Sequence, residues 1–268
     1  MRFALINSGL GLLATASELH KVRPDADLVI AMDPDGMPWG PRTPDDIAER
    51  SLAIAKAAAR YEPDVIIMAC NTGSVHALEV LRAEFEPAIP VVGTVPAIKP
   101  AAAAAHSVAI WATVATTESA YQRRLIEEFG GGAEVTPVAC PGLASAVDAG
   151  DAAAIEIAIA DAASRTPAGC GAVVLGCTEY ELAADPIGAA VPGAMLFSSA
   201  AAVAAQALRR VALAGRDLGA PDDQRGGRLT VLLSGRVASL PPAAFQYPQG
   251  RELAKLEAQS NPTPGLIA

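Results

Sequence analysis

Two cysteines sit in closely similar surroundings. One stretch reads Asp64-Val65-Ile66-Ile67-Met68-Ala69-Cys70-Asn71-Thr72-Gly73-Ser74, the other Gly171-Ala172-Val173-Val174-Leu175-Gly176-Cys177-Thr178-Glu179-Tyr180. Each is an apolar run, a small residue, a cysteine and a threonine, followed by a sequence suited to a helix. A thiol so placed lies at the carboxyl end of a parallel strand, where open α/β sheets keep their ligand crevices. Helix amides nearby also favour the thiolate, against a free-cysteine pKa of about 8.5. Free cysteine more often packs as a small hydrophobe. Cys140, before Pro141 and Gly142, and Cys170, in the loop Pro167–Gly171, are read that way. Cys70 and Cys177 stand apart because strand context and polar followers recur together. As packed residues they would do no chemistry. As a working pair, one from each of two similar half-chains, they would share a cleft. A hydrolase needs one nucleophile with a base and an oxyanion hole. A redox pair must let its sulfurs meet. Inverting a carbon acid needs a base on one face and an acid on the other, roles that a thiolate and a thiol can exchange. Asn71, Thr72 and Thr178 add polar groups suited to a carboxylate ligand.

The elements that must hold these thiols alternate between short β-rich runs and longer helix-forming stretches, which predicts repeated βα units and parallel sheet. Strands are expected at Phe3–Ile6, Leu28–Ala31, Val65–Met68, Val91–Gly93, Ser107–Trp111, Glu134–Val138, Ala172–Leu175, Met195–Phe197 and Leu229–Leu233. Helices are expected at Leu10–His20, Asp45–Tyr61, Gly73–Phe85, Pro96–Ala104, Glu118–Phe129, Asp151–Ser164 and Ser198–Leu213. Thr43 before Pro44, Asp45 and Asp46 supplies a capping hydroxyl, a proline and two carboxylates at a helix start. Thr117 before Glu118, and Ser198 with Ser199 before an alanine run, read as similar starts. Residues Gly215–Gly227 read as an exposed loop and Gln259–Ala268 as a loose tail.

Composition narrows the classes. The chain has 268 residues, near the size at which one core divides into two. Hydrophobic residues at 51% and charged residues at 18% exclude a disordered chain or a coiled coil. No apolar run reaches the roughly 18–20 residues that span a bilayer, and the start reads as no signal peptide, so the cytoplasm is expected. A net charge of −9 without a basic cluster argues against nucleic acid. The four cysteines form no Cys-x-x-Cys pair and lack ligand-like spacing to His20, His76 and His106. They are expected as free thiols, with no metal site.

Several further motifs lie in register with the cysteines. They are Asn7-Ser8-Gly9-Leu10-Gly11, Pro38-Trp39-Gly40, Gly93-Thr94-Val95-Pro96-Ala97-Ile98-Lys99-Pro100, the segment Thr113–Tyr121, Cys140-Pro141 leading to Asp148-Ala149-Gly150, and Leu175–Tyr180. Together with Cys70–Ser74, and through about Leu213, the chain resembles glutamate racemase within the aspartate/glutamate racemase superfamily. That resemblance implies two similar parallel-sheet α/β lobes with the active site in the cleft between them. Lobe 1 would take residues 1–95 plus about 205–268, and lobe 2 residues 96–204. It implies an amino-acid substrate, most simply glutamate with aspartate as the alternative, and proton transfer at Cα by Cys70 and Cys177. Asn7, Asp148 and Glu179 would join them as catalytic groups. Ser8, Trp39, Gly40, Asn71, Thr72, Thr113, Thr116 and Thr178 would lie near the substrate. Neither metal nor pyridoxal cofactor is implied; D-glutamate for peptidoglycan and a homodimer are. Four residues depart from the family pattern. Asn7 stands where aspartate is usual, Glu179 where histidine is usual, Trp39 for tyrosine and Asp148 for glutamate. An ionised Glu179 would oppose a thiolate at Cys177.

Two other readings remain open from sequence. Gly9, Gly11 and Ala14 match a dinucleotide fingerprint, with Asp33 placed as the ribose-binding acid. The departures at Asn7 and Glu179 also fit a binding protein that has lost catalysis. Relatives acting on hydantoins or malonates match the middle motifs less well. His76 and Lys99 read as solvated helix residues.

Overall fold

A computed structural model describes residues 1–222 and 225–260. Among these the strands are β1 (Arg2–Asn7), β2 (Asp27–Met32), β3 (Val65–Met68), β4 (Val91–Gly93), β5 (Ser107–Ala112), β6 (Glu134–Ala139), β7 (Ala172–Leu175), β8 (Met195–Phe197), β9 (Leu229–Leu233) and β10 (Arg236–Ala238). The α-helices are α1 (Leu12–Val22), α2 (Pro44–Ala59), α3 (Asn71–His76), α4 (Leu78–Phe85), α5 (Ile98–Ala104), α6 (Val114–Thr117), α7 (Ala120–Phe129), α8 (Leu143–Ala149), α9 (Ala152–Ser164), α10 (Ala184–Ala190), α11 (Ala200–Leu213) and α12 (Pro248–Ser260). Two 3-10 helices cover Thr178–Ala183 and Pro242–Gln246.

The strands form two sheets, ordered β10-β9-β2-β1-β3-β4 and β6-β5-β7-β8. All pairings are parallel except β9 with β10. The order β2-β1-β3-β4 is repeated by β6-β5-β7-β8, so the sequence echo around the two cysteines is an echo of topology. Cys70 follows β3 and Cys177 follows its counterpart β7. Only the first sheet carries the added β9–β10 hairpin.

Period-two alternation assigns each strand two faces. Phe3, Leu5, Leu28, Ile30, Val65 and Ile67 of the first sheet share one core with Ala109, Trp111, Val173 and Leu175 of the second. Between them lie side chains of α1, α8, α9, α11 and α12. The opposite faces pack outward: Ala4, Ile6, Val29, Ile66 and Met68 against α2 and α4, and Val108, Ile110 and Val174 against α5 and α7. Full burial of side chains such as Phe3 and Leu5 is worth roughly 1.5–3 kcal/mol each. Pro137 lies in β6, at a sheet edge, where a missing N–H costs no ladder bond.

Helix starts follow the sequence in part. Thr43 caps α2 by accepting from the Asp46 N–H at 3.3 Å. The expected Thr117 start is overturned, because Ser119 caps α7 by accepting from the Gln122 N–H at 3.0 Å. Ser199 does not cap α11. The buried Glu181 carboxylate does, accepting from the Ser199 N–H, the Ser199 hydroxyl and the Ala200 N–H. The helix expected over Gly73–Phe85 is broken at Ala77, next to the weakly helix-forming Thr72-Gly73-Ser74-Val75. The expected boundary near residue 205 falls inside helix α11, which contacts α1, β3 and β4. The expected tail also differs. Helix α12 runs through Ser260, and the remainder, 261–268, lies outside the described residues.

Candidate active site

Both sheets end at one cavity of about 430 Å³. From the first sheet it is lined by Ser8 after β1, Trp39 and Gly40 after β2, and Cys70, Asn71 and Thr72 after β3. The second sheet supplies Thr113 and Thr116 after β5, Cys140 after β6 with Asp148 on α8, and Cys177 and Glu179 after β7. Equivalent strand ends thus face one space, with one thiol from each sheet. Of the residues singled out in the sequence, Asn7 and Thr178 do not line the cavity; both are buried beneath it.

The two cysteines share a backbone shape but not an environment. Their φ/ψ values are −146°/128° at Cys70 and −135°/138° at Cys177. The Cys70 sulfur turns back on its helix and accepts from the Gly73 N–H at 3.4 Å. The Cys177 thiol instead donates to Glu179 Oε2 at 2.8 Å. Burial pushes the Cys70 thiol up to about 12, with the Glu179 carboxylate adding to the shift. The same two causes, in the same order, push Cys177 well above its ordinary value. Cys140 also lines the cavity, although the sequence marked it as packing only. Its thiol is pushed up to about 12 by burial. The recurrent cysteine pattern carried no sign of this third wall.

Below the cavity floor, Asn7 spans the sheets. Its Nδ2 donates to the Ala69 carbonyl at 2.8 Å, to Thr178 Oγ1 at 3.2 Å and to Glu179 Oε1 at 3.4 Å. Its Oδ1 accepts from the Ser8 N–H at 2.6 Å. Asp148 accepts from the Leu10 N–H at 2.7 Å, and burial, followed by the nearby Glu179 carboxylate, raises its pKa. Asn71 Nδ2 donates to the Gly176 carbonyl at 2.7 Å, while its buried Oδ1 meets no protein donor among the described residues. The Thr113 and Thr116 hydroxyls bond to each other at 3.0 Å.

Trp39 presents only its ring to the cavity, because its indole N–H donates to Asp33 Oδ2 at 3.1 Å. Asp33 is also engaged by Arg50 and Ser234 and anchors this loop. The dinucleotide reading fails on the glycines themselves. A Cβ on Gly9 would collide with the Asp148 carboxyl, and one on Gly11 with Thr178, Glu179 and Asn7. The turn is narrow so that carboxylates can approach it, and they would repel a pyrophosphate. Among the described residues no three His, Cys, Asp or Glu side chains gather to hold a metal ion.

The family profile described as Asp/Glu/Hydantoin racemase matches residues 7–207, which span every group in this cavity. The chain belongs to that family. Glutamate racemase of Pseudomonas putida (strain W619) is 32% identical over 80% of this chain and 82% of its own length. The enzyme of the same name from Herpetosiphon aurantiacus is 35% identical, covering 83% and 88%. Among solved structures, Escherichia coli glutamate racemase in complex with L-glutamate and the activator UDP-MurNAc-Ala superposes with a TM-score of 0.78 at 28% identity, covering 91% of each chain.

Proposed function

We propose that the chain is a cofactor-independent glutamate racemase, with Cys70 and Cys177 exchanging protons at the substrate Cα. The observation that carries this reading is that one thiol from each sheet lines the same cavity, at matching strand ends. Neighbouring groups support it. The Thr72, Thr113 and Thr116 hydroxyls and nearby amides are donors for carboxylates. Electron density building on the α-carboxylate during proton transfer would fall to those donors. Glutamate over aspartate is supported by the two named relatives above 30% identity. Four unpaired thiols fit the reducing cytoplasm; among the described residues no helix is long and apolar enough to cross a membrane.

The test is a chiral assay with no added cofactor, paired with exchange of the α-proton in heavy water. The parent should interconvert L- and D-glutamate and wash in solvent deuterium. Cys70→Ser and Cys177→Ser should each lower racemisation by about 10²–10⁴-fold with the circular dichroism spectrum unchanged. Parental turnover in either variant would defeat the two-thiol assignment.

A further inference from the structure

Around Glu179 the structure shows a division of labour that the proposed racemase activity does not by itself require. Glu179 is buried, and no cationic side chain among the described residues pairs with it. Its oxygens are claimed by Cys177 and Thr178 on one side and by Asn7 on the other. The orientation of the Asn7 amide is fixed by chemistry. The Ala69 carbonyl can only accept and the Ser8 N–H can only donate, so Nδ2 faces Ala69 and Glu179 while Oδ1 faces Ser8. A carboxylate at residue 7 would set an oxygen against both the Ala69 carbonyl and the Glu179 carboxylate. The titratable groups around Glu179 are Cys70, Cys177, Asp148 and Tyr180, every one of them acidic. A second negative charge there has no compensation.

We propose that Asn7 and Glu179 act as one unit holding a single carboxylate: Glu179 takes the Cys177 proton and passes it on through water to Cys70, and Asn7, donating from the end of β1, holds that carboxylate beside the thiol. This rests on the racemase reading above. In the step, the Cys177 S–H bond breaks, an O–H bond forms on Glu179 Oε2, and the electron pair stays on sulfur. The thiolate removes the Cα proton and becomes a thiol again. Cys70 gives its proton to the opposite face, and the new thiolate keeps the Gly73 N–H as donor. Water reaching the cavity carries the Glu179 proton back to Cys70, so the cycle closes without oxidant or reductant. In this scheme Glu179 is a catalytic residue, because it touches a reacting sulfur. Asn7 is a positioning residue that acts through it.

The experiment is a double-mutant cycle of Asn7→Asp, Glu179→Gln and the pair, read by glutamate turnover and by the pH dependence of iodoacetamide alkylation mapped to Cys177 by mass spectrometry. Asn7→Asp should lower turnover at least tenfold more in the parent than in the Glu179→Gln background, because the like-charge clash exists only when both acids are present. Glu179→Gln should lower turnover and make Cys177 alkylation climb about tenfold per pH unit where the parent is level, since the internal proton acceptor is gone; a carboxylate that only repelled the thiolate would leave the parent climbing with the same slope. Asn7→Asp raising turnover, an equal cost in both backgrounds, or an unmoved alkylation profile would each overturn the proposal. A parent that alkylates normally but exchanges no α-proton from glutamate would overturn the racemase reading instead, leaving the alkylation profiles to judge the pair.

Discussion

The cavity holds both of its opposed thiols, Cys70 and Cys177, protonated at neutral pH, for the same physical reason: burial removes the water that would solvate a thiolate, and the Glu179 carboxylate repels what remains. A raised pKa leaves the thiolate scarce, and a thiolate formed by proton loss to solvent grows about tenfold per pH unit until the pKa is reached. The singly ionised pair needed for two-sided proton transfer is therefore also scarce at neutrality. Because Glu179 takes the Cys177 proton inside the cavity, the scarce thiolate forms without losing a proton to bulk water. Log kcat/KM, which reports the ionisations of the free enzyme, should therefore stay level from about pH 7 to about pH 9 and climb with a slope near one only in Glu179→Gln. A parent profile that climbs with a slope near one would show that the Cys177 thiol loses its proton to solvent and not to Glu179. At this scale the sequence disclosed the cysteine pair and the polar residues following each. It could not disclose that Cys70 turns to a backbone amide while Cys177 turns to Glu179. Both partners are local, but Glu179 is held in reach of Cys177 by Asn7, which comes from the first sheet and shows no sequence proximity to it.

The β1–α1 turn is where elements from both sheets come closest. Asp148 of α8 sits against Gly9, and Glu179 with Thr178 sits against Gly11. Neither glycine is among the residues with positive φ, so alanine is acceptable to the backbone at both and only the space forbids it. Gly11→Ala should push Glu179 from Asn7 and Cys177 and cut kcat/KM by about 10²-fold or more, the cost of misplacing catalytic groups by about 1 Å. The fold should survive, as judged by circular dichroism. Parental kinetics in Gly11→Ala would mean that the two halves do not approach as closely as the structure shows. Parallel strands were legible because buried apolar runs such as Val65–Met68 and Ala172–Leu175 are flanked by polar turn residues. Helix α8 was not. It is seven residues long, and no side chain caps its start, which is made by Gly142 with φ 77°. A glycine-led turn carries no helix signal, although this helix positions Asp148.

Across the whole molecule, the last segment ties the sheets together. Strand β9 joins the first sheet beside β2, where Asp27 receives Arg2 and Arg228. The chain then returns across the seam. Ser17 of α1 donates to Glu252 at 2.6 Å, Gln246 and Ala243 pack at Gly150, and the Tyr247 hydroxyl donates to the Val147 carbonyl of α8 at 2.6 Å. Repeated strand order and a matching cysteine in each half were both foreshadowed by the internal echo. The returning segment was not, because its contacts join residues from about a hundred to 235 positions apart and show no local period. Burial pushes the Tyr247 hydroxyl up to about 12, so it remains a donor at working pH. Tyr247→Phe removes that donor and little else. The Val147 carbonyl keeps its bond from the Gly150 N–H, so the loss should be about 1 kcal/mol, or about 2–4 °C in Tm for a chain of this size. Because α8 carries Asp148 against the β1–α1 turn, kcat/KM should fall with Tm. If thermal melting and turnover are both parental in Tyr247→Phe, the C-terminal segment does not brace the cavity wall, and the seam is held by the shared core and the Asn7, Asn71 and Asp148 bonds.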